Sequence, residues 1–120
     1  MYTLVYRIKA DPPGGTGGGS RSSGQPMDFE KFEWDEEKRL TNIKERGVDF
    51  RDASLIFEGP VIIKEDARED YGEQRFRALG KVDNDYYVVA FTWRGLTCRI
   101  ISAWKVDENG RKRYEEILSR

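Results

Sequence analysis

Two apolar runs in the last third of the chain set its pattern. Tyr86–Thr92 reads YYVVAFT and Thr97–Val106 reads TCRIISAWKV, joined across Trp93-Arg94-Gly95. Runs this rich in Val, Ile and aromatic residues, broken by a short glycine-containing turn, predict a β-hairpin with Gly95 at positive φ. Gln74–Val82 (QRFRALGKV) predicts a strand before it, with Phe76, Ala78 and Gly80 on one parity and Arg75, Arg77 and Leu79 on the other. Asp83-Asn84-Asp85 is a turn between them. Val61–Ile63 is a brief apolar run that predicts the first strand, followed by a polar loop over Lys64–Gly72.

Helical signals flank these strands. Asp35 is placed as an N-cap, Glu36 and Glu37 suit the positive end of a helix, and Gly47 stops it, so a helix is predicted over Glu36–Glu45. Leu40 and Ile43 mark its expected buried side, with Trp34 packing near its start. A short second helix is expected over Arg51–Phe57, ended by Gly59-Pro60. Asp107–Gly110 reads as a turn, and Arg111–Leu118 as a last helix with Tyr114, Ile117 and Leu118 inward. Phe29–Trp34 alternates apolar and charged residues, and Asp28, Glu30 and Glu33 are read as charges that solvate that edge. The order helix, helix, four strands, helix predicts an α+β domain. Its sheet would be a small antiparallel four-stranded meander with two N-terminal helices and one C-terminal helix. The helices would cover one face and leave the other partly open to a ligand or partner.

The N-terminal part reads differently. Asp11–Pro26 (DPPGGTGGGSRSSGQP) holds six of the twelve glycines and three of the four prolines, a composition that forms no core. Residues 1–26 are therefore expected to be an extension with a flexible tether, and residues 27–120 the folded domain, with Met27 placed as its natural start. Tyr2–Ile8 (YTLVYRI) has strand propensity. It is either a frayed tail or an edge strand added through a flexible return. It lacks the basic start and long apolar run of a signal peptide, and no run in the sequence approaches a membrane span.

Composition narrows the chemistry. There is no histidine, which excludes histidine-based zinc sites and Ser-His or Cys-His nucleophile pairs. The single Cys98 excludes an internal disulfide and fits a reducing, cytoplasmic setting; its apolar strand favours inert burial. Asp66, Glu69, Asp70 and Glu73 lack calcium-loop spacing, so no metal and no cofactor is expected. Asp28–Glu73 carries fifteen acidic and eight basic residues, whereas Gln74–Arg120 carries six acidic and ten basic. Such asymmetry either makes opposite faces or is neutralised within the fold.

The hairpin joins cations to aromatics, a pairing that suits phosphates and unstacked bases. Arg94, on the turn, and Arg99, within the second strand, are the leading candidates to stabilise charge on phosphoryl oxygens through the guanidinium fork. Trp93 is either a base-stacking platform or a hydrophobic lid on the sheet edge. Lys105 and Arg77 would add RNA-binding charge, and Tyr71 in DYGE either donates its hydroxyl or anchors the loop, where Asp66, Arg68 and Asp70 can form a charge network. Strict alternation puts Thr97, Arg99, Ile101, Ala103 and Lys105 on the exposed side. It puts Cys98, Ile100, Ser102, Trp104 and Val106 in the core, unless a bulge intervenes. Arg111, Lys112 and Arg113 are solvated surface, RNA-facing charge or a contact for an acidic partner protein.

Ordered blocks carry a family resemblance. They are F-x-W-D-E-E-K at Phe32–Lys38, G-V-x-F at Gly47–Phe50, D-x-R-x-D-Y-G-E at Asp66–Glu73 and R-x-x-x-L-G at Arg75–Gly80. R-I-I-S-A at Arg99–Ala103 and R-x-Y-E at Arg111–Glu115 follow. Together they resemble the BrnT toxins of bacterial type II toxin–antitoxin modules, over Phe29–Glu116. The resemblance implies a RelE-like fold and a ribonuclease that arrests translation. It also implies a BrnA-like antitoxin partner, operator DNA being contacted only indirectly through the antitoxin complex. The chain departs from the pattern at Arg46, where the family usually has histidine, and at Trp104, where it usually has arginine. Three readings follow: a metal-independent ribonuclease toxin, a catalytically weakened toxin-fold protein acting through antitoxin binding and operon autoregulation, or a plain RNA-binding module.

Overall fold

A computed structural model describes residues Tyr2–Val5, 31–66 and 72–119. Ten elements follow in order. They are β1 (Tyr2–Val5), β2 (Lys31–Trp34), α1 (Glu36–Arg46), α2 (Phe50–Ala53), a 3₁₀ helix (Ser54–Glu58), β3 (Val61–Glu65), β4 (Phe76–Val82), β5 (Asp85–Arg94), β6 (Thr97–Lys105) and α3 (Glu108–Leu118). The sheet order is β1-β3-β4-β5-β6-β2. The α+β class and the antiparallel meander β3–β6 match expectation, but the count of four strands does not. β2 joins β6 in parallel, pairing Glu33 with Arg99, and β1 joins β3 antiparallel, pairing Leu4 with Ile62. The sheet is therefore mixed, with five strands from residues 31–105 and the N-terminal strand on its edge. The expected tether Asp11–Pro26, Tyr71 and most of the Asp66–Asp70 network lie outside the described residues.

Local chemistry explains the helices. The Asp35 carboxylate accepts from the Glu37 and Lys38 amides, and Gly47 closes α1 at φ 72° with its N–H on Ile43 O. The expected second helix is a single α-turn capped by Asp49, followed by 3₁₀ geometry. Asp107 is not part of a free turn; it caps α3 through the Gly110 amide, so the helix starts three residues early. Lys64 and Glu65 extend β3 rather than opening the loop.

The two faces of the sheet differ. On the first, α2 and the 3₁₀ helix pack Phe50, Ala53, Ile56 and Phe57 against Val61, Ala78, Val89, Phe91, Cys98 and Ile100. Gly80 permits this approach, since a Cβ there would sit 2.6 Å from Ile56 Cβ. Among the described residues the second face is covered only in part, by α3, whose Tyr114 packs with Ile62 and Tyr86 and donates to Pro60 O at 3.0 Å. Tyr86 donates to Glu115, which with the nearby Arg111 holds that carboxyl below its ordinary pKa.

α1 contradicts its predicted orientation. Leu40 and Ile43 are exposed, at 53% and 36%, and the buried residue is Asn42. Its amide donates to Val48 O at 2.9 Å and Ala103 O at 2.8 Å, and its oxygen accepts from Ala103 N at 3.3 Å. β2 pairs with β6 only as far as Ile100, so Asn42 occupies the place of the missing strand at Ala103. An ion pair from Arg39 to Asp49 at 2.9 Å holds α1 against the following turn. Asn42→Leu leaves the peptide groups of Ala103 and Val48 buried without these partners. It is expected to destabilise the fold by about 2–4 kcal/mol, measured as a lower thermal midpoint and denaturant midpoint.

Candidate nucleic-acid interface

One extra residue decides which side chains the open face carries. Ala90 pairs with Ser102 but Phe91 pairs with Ile100, so Ile101 is bulged out of the β5–β6 ladder. Alternation reverses across it. Ala103 falls into the helix-covered core at 0% exposure, and Ser102 and Trp104 move to the open face. Lys105 follows Ala103 to the covered side, where it lies 3.4 Å from Asp85 at the strand end. Strict alternation therefore misplaces Ser102, Ala103, Trp104 and Lys105.

Cross-strand pairs share a face, so the open face can be read in rows. One row is Ile62, Leu79, Val88 and Trp104. The next is Lys64, Arg77, Ala90 and Ser102, and beyond it Thr92 lies beside Arg99 and Glu33. Where α3 crosses, Ile62, Lys64, Arg77, Leu79, Val88 and Arg113 line a cleft of about 250 Å³. Arg77 Nε is buried and has no hydrogen-bond partner among the described residues. Burying a guanidinium N–H unpaired is unfavourable.

The predicted site residues separate accordingly. Arg77 and Arg99 share the open face. Arg99 is half-exposed and pairs with Glu33 at 3.0 Å, so Glu33 does more than solvate an edge. Arg94 ends β5 on the same parity, 64% exposed, with Glu73 at 3.7 Å. Trp93 lies on the opposite face, its ring stacked 4.5 Å from Phe76 and 5.7 Å from Phe91. This is the lid arrangement rather than a platform beside the arginines. Lys64 and Trp104 were not singled out for this surface, and for Arg113 an RNA-facing role was one reading among three. The Val61–Glu65 alternation carried the signal for Lys64; Arg113 and Trp104 are placed by α3 docking and by the bulge. Cys98 is fully buried, and burial pushes its thiol pKa up, so the sulfur stays protonated. Among the described residues no group of three potential metal ligands occurs, and no helix is long and apolar enough to cross a membrane.

A small mixed sheet, helix-packed on one side and carrying Lys64, Arg77, Arg99 and Arg113 on the other, defines a small α+β protein with a partly open, basic-lined sheet face. The sequence profile of the family described as ribonuclease toxin, BrnT, of type II toxin–antitoxin system matches residues 34–109, and the chain belongs to that family. A type II toxin implies an antitoxin partner. A comparison with curated proteins finds no match.

The two faces are separable by mutation. Trp93→Ala removes ring packing and is expected to cost about 2–4 kcal/mol of stability. Arg99→Ala breaks only a half-exposed ion pair and should cost below about 1 kcal/mol. Chemical denaturation of both variants measures this, and equal losses would contradict the face assignment.

Proposed function

We propose that this chain is a RelE-like, metal-independent ribonuclease toxin that cleaves single-stranded RNA on its open sheet face and so inhibits translation. The observation that carries the reading is Arg77 Nε, unpaired at a cleft also lined by Lys64 and Arg113. Arg99 stands one row away on the same face.

Cleavage without a metal proceeds by in-line attack of a 2'-oxygen on the adjacent phosphorus. The 2'-hydroxyl gives up its proton and the leaving 5'-oxygen takes one up. With no histidine in the chain, charge stabilisation is the protein's main lever. Arg77 and Arg99 would hold the phosphoryl oxygens as negative charge builds, each through planar donors aimed from a rigid strand. Arg94, at the turn, would bind a flanking phosphate. A BrnA-like antitoxin would silence the enzyme by covering this face, and operator DNA would be bound by the complex through the antitoxin.

The Arg99–Glu33 pair favours one second reading, in which catalysis is weakened and antitoxin binding with operon autoregulation remains.

Single-turnover cleavage of mixed-sequence RNA in the presence of a chelator tests the proposal. The wild type is expected to cut. Arg77→Ala and Arg99→Ala should each slow cleavage roughly 30- to 1000-fold, the effect of losing one charged donor to the transition state. Undiminished cleavage by both variants would defeat the site. A folded wild type that binds antitoxin but yields no product would favour the second reading.

A further inference from the structure

The bulge brings Trp104 to the open face, and what it meets there is unusual for this protein. Trp104 is half-buried, opposite Val88, and belongs to neither apolar cluster. The guanidinium carbon of Arg46, the last residue of α1, sits 5.2 Å from the centre of its ring. Arg39 is held by Glu36 and Asp49, Arg99 by Glu33 and Arg111 by Glu108 and Glu115. Arg46 makes no such pair among the described residues; it lies exposed on an indole.

We propose that Arg46, seated over the Trp104 ring, stacks an unpaired RNA base at the α1 end of the open face. The proposal rests on the RNA-cleaving reading above and assigns that surface a base subsite. Three observations carry it. A guanidinium plane stacks on nucleobases as well as on indole, so indole, guanidinium and base form one column. A cleft of about 300 Å³ lies beside Arg46, with Lys38, Thr41 and Glu45 on one wall and Ile101 and Ser102 on the other. Its hydroxyl, carboxylate and ammonium groups can meet the edge of a base. The cationic row begins at Ser102 and reaches Arg77 two strands away, on the order of 10 Å. A base in the cleft therefore leaves its strand running toward Arg77. Arg46 is the contacting residue, and Trp104 positions it.

A basic residue at a helix C-terminus is also favoured by the helix dipole, and a phosphate contact needs only charge. Lysine would serve both of those roles but cannot stack as a plane. The experiment therefore uses the full chain and a non-cleavable 2'-O-methyl RNA oligonucleotide, intact or with one abasic site moved along it. Affinities are measured for the wild type, Arg46→Lys and Trp104→Leu, with thermal midpoints confirming folding. For the wild type, one abasic position should lower affinity roughly 10- to 100-fold. Arg46→Lys and Trp104→Leu should weaken binding of the intact oligonucleotide by a similar factor, and the abasic site should then have no further effect. Wild-type affinity in Arg46→Lys, or an abasic penalty undiminished in either variant, would overturn the base subsite while leaving RNA binding in place. A wild type that does not bind the oligonucleotide would overturn the RNA reading and this proposal together.

Discussion

The surface of this protein hangs on the clasp between Asn42 and Ala103. β2 stops supporting β6 at Ile100, and Ile101 bulges at the next step. A strand that lost its neighbour there would expose peptide groups and drift in register. Asn42 prevents both by offering donor and acceptor to one residue, from a helix anchored by its own caps and by Arg39. With the bulge fixed, Ala103 fills the core. Ser102 and Trp104 complete the open face. Shift the register by one residue, and the indole would be driven under the helices while the small alanine faced solvent.

Charge is arranged in the same two-sided way. The acidic first half and basic second half are partly neutralised across the fold, as in Arg99–Glu33 and Arg94–Glu73. Other cations are consumed locally, as Arg111 is by Glu108 and Glu115. Arg77 Nε stays unpaired, at a cleft whose floor is apolar. A pairing that neutralised it would stabilise the free protein and remove the feature that best fits a phosphate.

Much of this was legible in the sequence, because periodicity and caps are local. The meander β3–β6, the Gly95 turn, the Asp35 cap and the Gly47 stop all follow from neighbouring residues. Trp93 could also have been placed, since Tyr87, Val89 and Phe91 lead to it on the core parity. The misses are non-local. A four-residue strand whose partner lies 66 positions away gives no hairpin signal, so β2 was invisible. The bulge is a count of one residue, with no side-chain signature at Ile101. An asparagine as the buried residue of α1 reverses the usual inference from Leu40 and Ile43, which stay exposed. Arg99 falls on the face that alternation gives it because it precedes the bulge, and Arg77 because β4 has none; Lys105 was misplaced because it lies beyond the bulge.

The central claim is that the partly open face of the sheet is the RNA surface. Backbone amide shifts recorded while a 2'-O-methyl RNA is titrated into the labelled full chain test it most directly. The account predicts the largest changes at Lys64, Arg77, Thr92, Arg99 and Ser102, with Phe76, Trp93 and Lys105 little affected. Changes concentrated on those last three residues, or none at saturating RNA, would contradict it.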